Sequence, residues 1–329
     1  MQNWRGRLIL GFVLALIVVL GLAFYGDLPR LLEAFRRWQW AYLPLVLAAV
    51  LANYGLRFLR WHYYLGIIGV QGVGWRDSLG IFLSGFALTM TPGKVGEVLK
   101  SFLLKQVQGT PVSYSASIVV AERLTDVLGM VLLASVGLAS YRFGVQVLAV
   151  TLAIGLLFVL AVQQRRLVLR LLGAIERLPT IGRFAGLLHN LYESAYLLLR
   201  LKPLLGAIAL ATVAWFGECL AFFLVLLGLG LAPTATLLLQ ATFIYALASL
   251  VGAVSFLPGG LGATEAGMAV LLPRLVGLSK DATVAATLLV RFATLWFAVA
   301  LGLVALVVMQ RRMALRVQSS LSLPGRGLG

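Results

Sequence analysis

Six apolar segments divide the sequence, and each is long enough to cross a lipid bilayer as an α-helix. A spanning helix needs about 20 mostly apolar residues, each adding about 1.5 Å to its length. The segments that meet this length are residues 8–26, 41–60, 113–140, 144–162, 204–231 and 282–309. Hydrophobic residues make up 61% of the 329 residues and charged residues only 12%, which excludes a water-soluble domain. The sequence therefore predicts an all-α polytopic membrane protein.

Two further apolar stretches, residues 76–108 and 235–275, are interrupted by proline and glycine. The interruptions read T-P-G-K-V-G-E at 91–97 and F-L-P-G-G-L-G-A-T-E at 256–265. Irregular backbone inside a membrane is tolerated only where protein or a wet cavity surrounds it. We predict that each stretch is a broken re-entrant helix pair, which gives about six full crossings plus two re-entrant hairpins. Eight full crossings are the alternative.

The charges are unevenly distributed, with 27 Lys and Arg residues against 11 Asp and Glu residues. With six crossings both termini lie on one face, which then carries 13 basic residues against six on the other face. Loops rich in Lys and Arg stay in the cytoplasm. We therefore expect a multi-pass inner (plasma) membrane protein with both termini in the cytoplasm. Eight crossings would also return the tail to the cytoplasm.

Residues 1–309 are predicted to form a single transmembrane domain. Its connector at 163–202 has the basic amphipathic pattern of helices that lie on the cytoplasmic leaflet, and a solvated linker is the alternative. Residues 310–329 have the composition of a basic cytoplasmic tail without regular structure.

The two interruptions resemble each other. The first contains P-G-x-V-G at 92–96 and the second contains P-G-x-L-G at 258–262. An arginine follows each proline at a similar distance, Arg123 after 31 residues and Arg291 after 33, near the middle of the next apolar helix. Such a turn can recur by chance, but the agreement in spacing favours a genuine internal repeat.

Polar residues before the interruptions also correspond, since Asn53 lies 39 residues before the first proline and Glu218 lies 40 before the second. We therefore predict two repeats, at about 41–140 and 204–309. With six crossings the first hairpin opens from the cytoplasm and the second from the outside, so the repeats are inverted. Inverted repeats with broken helices are typical of secondary transporters, whose substrate sites lie near the midplane.

Both interruptions carry glycines that suit the approach of an anionic ligand. Glycine allows positive φ, and a half-helix that starts after the turn presents unpaired N–H groups and the positive end of its dipole. Lys94 and Lys100 add positive charge after the first turn. The glycines concerned are Gly93, Gly96, Gly259, Gly260 and Gly262. Close helix packing through small residues is the alternative.

Charged residues in the middle of an apolar helix are the strongest functional signal. Glu122, Arg123 and Asp126 lie near the centre of the 113–140 segment, where each charge costs roughly 2.5–3.5 kcal/mol. Their spacing lets them interact on one side of the helix, and they must face the protein interior. Structural ion pairs are the alternative to a substrate or proton pathway.

The candidate residues lie at the interruptions or inside neighbouring helices. The substrate-binding candidates are Arg123, Arg291, Lys94, Gly93, Gly96, Gly259, Gly260, Gly262, Asn53 and Arg57. The residues expected to orient these cations or to exchange protons are Glu97, Glu122, Asp126, Glu218 and Glu265. The cations and helix ends favour an anionic group, and the apolar surroundings favour a tail that stays in lipid.

We therefore expect membrane lipids as partners, either an anionic phospholipid or a lipid-linked headgroup such as a polyprenyl-phosphate-linked molecule. Nucleic acid is not expected, because the basic residues are spread between apolar segments. Neither a metal nor a cofactor is expected, and the single cysteine, Cys219, excludes a CxxC-type site. A homodimer is compatible with the sequence.

Four motifs together resemble the flippase-like transmembrane domain family of the lysylphosphatidylglycerol synthases, of the multiple peptide resistance factor type. They are N-Y-G-L-R-F-L-R-W at 53–61, P-G-K-V-G-E-V-L-K at 92–100, E-R-L-T-D at 122–126 and P-G-G-L-G-A-T-E at 258–265. The resemblance implies a stand-alone member without the synthetase domain, with two inverted halves, re-entrant helices and the movement of lipids between leaflets. Where the family pattern has arginine, this sequence has Lys94 and Lys100, so a bidentate contact to phosphate is not expected there.

The sequence thus predicts a lipid transporter that is not an enzyme and that moves its substrate's headgroup across the bilayer by alternating access. An integral membrane lipid-modifying enzyme and an ion-coupled transporter of a small solute are the alternatives. The four aspartates are scattered, which disfavours the paired-aspartate Mg²⁺ site of such an enzyme.

Overall fold

A computed structural model of the chain describes residues 28–91, 96–138, 163–176 and 185–321, together with scattered positions between 146 and 161. The first apolar segment at 8–26, most of the segment at 144–162, and the candidates Gly93 and Lys94 lie outside the described residues. Within the described part every regular element is helical, which confirms the all-α prediction.

Twelve α-helices make up most of the described chain. They are α1 (Leu28–Arg37), α2 (Leu43–Ile67), α3 (Trp75–Ser84), α4 (Leu99–Gln108), α5 (Val112–Leu138), α6 (Arg165–Glu176), α7 (Ala185–Leu198), α8 (Leu201–Gly228), α9 (Ala235–Val254), α10 (Ala263–Leu275), α11 (Lys280–Arg291) and α12 (Phe297–Leu321). A π-helical turn, Phe292–Trp296, joins α11 to α12 without a break in the helical path.

Several helices are long and apolar enough to cross a membrane. By length and composition, four helical runs among the described residues qualify: Trp40–Ile67, Leu201–Gly228, Ala235–Val254 and Lys280–Leu315. α5 is also long, at 27 residues, although it carries charges in its middle. Four predicted segments coincide with these helices, namely 41–60, 113–140, 204–231 and 282–309. The chain is therefore an all-α polytopic membrane protein, as predicted.

α2 and α8 pack against each other in antiparallel directions. At one end of the pair, the Gln39 backbone N–H donates a hydrogen bond to the Gly228 carbonyl (2.9 Å). In the middle, the Asn53 side-chain amide donates to the Ala214 carbonyl (2.8 Å). The start of α2 therefore lies beside the end of α8, so the two predicted repeats begin with helices that run in opposite directions.

The first interrupted stretch forms a short helical hairpin. α3 continues into a 3-10 turn at Gly85–Leu88, and the chain returns through α4. The Gln108 side-chain amide, at the end of α4, donates a hydrogen bond to the Gln71 carbonyl, just before α3. Both ends of this hairpin therefore lie on the side of the bundle where α2 ends, as a re-entrant pair requires.

The second interrupted stretch forms a longer hairpin. α9 ends at Val254, a 3-10 turn follows at Pro258–Gly260, and α10 begins at Ala263. The Gln240 side-chain amide, near the start of α9, donates to the Leu275 carbonyl at the end of α10 (2.7 Å). Both ends of this hairpin lie on the side where α8 ends, opposite to the first hairpin. The two halves are therefore inverted relative to each other, as predicted.

The connector differs in one helix from the expectation of amphipathic helices on the cytoplasmic leaflet. α6 and α7 lie in it, but α7 packs against α5, with Tyr192, Ser194 and Leu198 buried. Because these side chains are buried, this part of α7 contacts protein rather than lipid. Residues 310–329 were expected to lack regular structure, but α12 continues to Leu321.

Close packing between α12 and the first hairpin yields a stability prediction. At Gly302, an added Cβ atom would lie 2.2 Å from the backbone nitrogen of Ala87 and 2.6 Å from the carbonyl carbon of Phe86. We expect Gly302→Ala to lower the free energy of unfolding by about 1–3 kcal/mol, because overpacking displaces the backbone. Thermal unfolding in detergent, followed by circular dichroism, measures this change as a lower midpoint.

The matched control is Gly206→Ala in α8. Gly206 is exposed, and an added Cβ atom there would meet nothing within 4 Å. Alanine is the better helix former, so this variant should keep its stability or gain up to about 1 kcal/mol. Equal midpoints for the two variants would contradict the close approach at Gly302.

Candidate functional site

A cavity of about 90 Å³ lies between the two halves, beside both helix breaks. Its charged lining residues are Arg57, Glu97, Glu218 and Arg291, and its aromatic lining residues are Tyr54, Phe86, Trp215 and Tyr245. Glycine backbone of the second break, at Gly259 and Gly260, forms another part of the wall. The inverted halves therefore bring together charged residues that are far apart in the sequence.

Asp126 is the centre of an ion-pair network beside this cavity. Its carboxylate accepts a hydrogen bond from Arg60 (Nη2–Oδ1 2.6 Å), and Nη2 of Arg123 lies 2.9 Å from Oδ2. Arg57 is more distant, with its Nη2 4.0 Å from Oδ2. Arg60 also donates to the Thr125 hydroxyl (3.0 Å). Because a buried charge is costly without partners, the surrounding guanidinium groups account for a carboxylate that is only 1% exposed.

A second buried ion pair joins α4 to α5. Nζ of Lys100 lies 2.5 Å from Oε2 of Glu122. The same ammonium group lies 4.6 Å from the centre of the Trp61 ring and 5.6 Å from that of Phe82, within the range of cation–π attraction. Lys100 therefore serves the packing of the first half, in contrast to the expectation that it adds charge for an anion.

The same glutamate–arginine pair occurs in both halves. Nη2 of Arg123 lies 3.2 Å from Oε2 of Glu97, and Nε of Arg291 lies 2.6 Å from Oε1 of Glu265. In each half the arginine follows the glutamate by 26 residues. The correspondence between the halves, inferred from spacing, thus extends to their side-chain contacts.

The second break depends on glycine, and its backbone is held by the ion pair. Gly259, Gly260 and Gly262 all have positive φ, at 61°, 67° and 84°. Nη2 of Arg291 donates to the Gly259 carbonyl (2.8 Å), and the Gly262 N–H donates to Oε2 of Glu265 (2.7 Å). The N-terminus of α10, which we expected to offer N–H groups to an anion, is thus capped by a carboxylate from its own first turn.

Two tyrosines cross-link the helices around the cavity. Tyr245 of α9 donates a hydrogen bond to Oε2 of Glu218 on α8 (2.6 Å). Tyr54 of α2 donates to the carbonyl of Thr294 in the π-helical turn (2.6 Å). These contacts orient Glu218 and hold the wall of the cavity together.

A second cavity, of about 270 Å³, lies on the other side of Gly252 and Ala253. Its lining includes Arg123 and Asp126 of the network together with Phe256 and Leu257 of the second break. Phe256 is 74% exposed, and the side chain of Arg123 is 25% exposed. The network is therefore accessible between α5 and the second break, past exposed apolar side chains.

Two predicted site residues have packing contacts instead of places in either cavity. Asn53 lies between α2 and α8, where it contacts the Ala214 carbonyl. Gly96 closes the first break, because its N–H donates to the Thr91 hydroxyl (2.6 Å). An added Cβ atom on Gly96 would lie 2.3 Å from Leu88. Of the other candidates, Gly93 and Lys94 are outside the described residues.

Sequence reasoning missed the four aromatic residues of the cavity, which are Tyr54, Phe86, Trp215 and Tyr245. Aromatic residues are common in membrane helices, so each is unremarkable alone. Helical spacing offered a usable signal, because Tyr54 precedes Arg57 by three positions and Trp215 precedes Glu218 by three. Residues at i and i+3 share a helix face, which predicts that both aromatics accompany the charges into the interior.

The fold and its cavity define a polytopic membrane protein of two inverted halves around a charged interior. The chain belongs to the family described as the lysylphosphatidylglycerol synthase TM region, which matches residues 8–302. This membership confirms the resemblance carried by the sequence motifs.

Relatives of similar length occur in the archaeon Methanothermobacter thermautotrophicus strain Delta H, under the name UPF0104 membrane protein. One is 27% identical over 317 residues, which cover 88% of this chain and 90% of the relative. Another is 26% identical in an alignment 342 residues long, which covers 94% of this chain and 95% of the relative. No solved structure matches the chain.

The Lys100–Glu122 pair yields a second stability prediction. Lys100→Met should lower the free energy of unfolding by about 3–5 kcal/mol, because it leaves the Glu122 carboxylate buried without its ammonium partner. Adding Glu122→Gln should recover much of this loss, since the double variant buries no unpaired charge there. Titration with SDS in mixed micelles measures the free energies of the three proteins.

Arg165→Met is the control for this experiment. Arg165 pairs with Glu193 at 2.9 Å, but its side chain is 54% exposed. Its loss should change the free energy of unfolding by about 1 kcal/mol or less. If the double variant were as unstable as Lys100→Met alone, the pair would not account for the burial of Glu122.

Proposed function

We propose that this protein transports lipid, moving an anionic or lipid-linked headgroup between the leaflets by alternating access while the tail remains in the bilayer. Phospholipids and polyprenyl-phosphate-linked molecules have the required chemistry. We propose that transport leaves the lipid covalently unchanged. The protein would act in the plasma membrane with both termini in the cytoplasm.

The observation that carries this proposal is the charged cavity where the two broken helices meet. A charge inside a membrane bundle is costly and usually marks a pathway for a polar substrate. The cavity lies between inverted halves, and the midplane interface of such halves is where transporters of this architecture bind their substrates. Arg291 and Glu97 in its wall come from different halves.

The repeated glutamate–arginine pairs supply a mechanism for alternating access. The Glu97–Arg123 ion pair lies at the first break. The Glu265–Arg291 ion pair lies at the second. A headgroup that competes for one arginine would weaken the ion pair of that half. Because the halves are inverted, they would open towards opposite sides of the membrane. The glutamates would hold each arginine in place when no headgroup is bound.

A lipid substrate is favoured over a small solute by the surroundings of the second cavity. A small-solute site needs a cavity closed to lipid on all sides. Here Val254, Phe256 and Leu257 present exposed apolar surface next to Arg123. Such a border would let a headgroup enter laterally while its tail stays among the lipid chains.

The test is translocation of a fluorescent phosphatidylglycerol in proteoliposomes, followed by quenching of the outer leaflet with a membrane-impermeant reductant. Arg123→Ala and Arg291→Ala should each lower the rate by about 10- to 100-fold, the range expected for the loss of a hydrogen bond to a charged group. Circular dichroism of each variant checks that the fold is retained.

Arg165→Ala is the matched control, because it removes an arginine from an exposed ion pair outside both cavities. Its rate should equal that of the wild type. A wild-type rate no higher than that of protein-free vesicles would overturn the transport proposal. Normal rates in both cavity variants would overturn the roles of Arg123 and Arg291.

A further inference from the structure

Five residues that line the first cavity carry a buried side-chain polar atom with no hydrogen-bond partner among the described residues. In Glu97 and Arg291 this atom lies within 3.2 Å of an ion-pair partner, which leaves Nε of Arg57, the Thr89 hydroxyl and Nε1 of Trp215 without either kind of contact. Trp215 is only 8% exposed, so its indole N–H is buried as well as unpartnered. Buried polar groups are normally paired, and each exception calls for an explanation.

The three groups share a chemical character. An indole N–H and a guanidinium N–H can only donate, and a hydroxyl can donate as well as accept. They come from three separate elements: α2, the segment after the first 3-10 turn, and α8. A cavity that gathers donors from three elements suits a ligand with several acceptor oxygens.

The ion pairs of the first half contain one more cation than carboxylates. The described network there contains four cations, Arg57, Arg60, Lys100 and Arg123, against three carboxylates, Glu97, Glu122 and Asp126. Arg57 has the longest of these contacts, at 4.0 Å, whereas the others lie between 2.5 and 3.2 Å. Arg57 is therefore the cation least engaged with a carboxylate.

Arg123 and Arg291, by contrast, are held by their glutamates. Arg123 lies 3.2 Å from Glu97, and Arg291 lies 2.6 Å from Glu265 and donates to the Gly259 carbonyl as well. An incoming anion would have to displace these contacts. At Arg57 the anion would meet a guanidinium whose Nε–H has no hydrogen-bond partner.

We propose that Arg57, Thr89 and Trp215 form a binding subsite for the phosphate group of the transported headgroup. The inference deepens the proposed function and rests on it for the lipid source of that phosphate. Arg57 contributes the charge, and the indole and hydroxyl donate to separate phosphate oxygens. Hydrogen bonds from these groups to an anion are of the strong, charge-assisted kind.

The test compares dihexanoyl phosphatidic acid with dihexanoylglycerol, which differ by the phosphate group. Binding of each to the purified full-length protein in detergent is measured by microscale thermophoresis. Trp215→Phe removes the indole donor and keeps an aromatic, though smaller, side chain, and Thr89→Val removes the hydroxyl donor and keeps the shape of the side chain. Each should weaken binding of the phosphatidic acid by about 10- to 100-fold and leave binding of dihexanoylglycerol unchanged.

Matched controls exist for both substitutions. Trp61 and Thr283 are fully buried and also have an unpartnered Nε1 and Oγ1, but neither lines the cavity. Trp61→Phe and Thr283→Val should bind phosphatidic acid like the wild type. Equal affinity in all four variants, or equal losses in cavity and control variants, would overturn the subsite.

Two further measurements separate the possible sources and the two proposals. Displacement of phosphatidic acid by inorganic phosphate would support the phosphate subsite and identify the free ion as a ligand, whereas resistance to it would support a lipid-borne phosphate. If Trp215→Phe loses binding while the wild-type protein moves no lipid, the subsite stands and the transport proposal fails. If the wild type moves lipid and Trp215→Phe and Thr89→Val bind and move it normally, only the subsite fails.

Discussion

Charge compensation inside an apolar bundle is the constraint on which the rest of this structure depends. Asp126 is almost completely buried and is surrounded by the guanidinium groups of Arg57, Arg60 and Arg123. Two of these arginines lie on α2 and one on α5, so the contacts that neutralise the carboxylate also set the rotation of the two helices. The Lys100–Glu122 pair attaches α4 to the same face of α5. A buried charge without a partner would cost several kcal/mol, about as much as a domain's margin of stability.

The two halves contain the same glutamate–arginine pair in different surroundings. Arg291 is 11% exposed, and it also holds the Gly259 carbonyl of the second break. Arg123 is 25% exposed and is shared between Glu97 and Asp126. Inverted halves that alternate must differ in any single conformation, because one side is closed while the other is open. The tighter pair at the second break and the looser pair at the first are an asymmetry that the proposed alternating access would require.

Much of the fold and part of the site could be predicted from the sequence. The breaks were predictable because proline and glycine interrupt apolar runs. The repeat followed from the similar spacings around both breaks, and its inversion followed from the six-crossing topology. The inward position of Glu122, Arg123 and Asp126 followed from the cost of a charge in lipid. Their partners were less predictable, since Lys100 pairs with Glu122 rather than standing beside the first turn as a free charge. Trp215 was not predicted, because aromatic residues are common in apolar helices and only its spacing from Glu218 distinguishes it in the sequence.

The sequence by itself determined that the chain spans a membrane, where its helices break, and which charges must face inward. These are local properties, because the bilayer requires long apolar helices and the chain must satisfy its own backbone inside it. Only the tertiary structure decided which cation meets which carboxylate, and that Arg57, Thr89 and Trp215 come together with donors unpartnered in one cavity. Those outcomes depend on the depth and rotation of helices from separate parts of the chain, which no local pattern specifies.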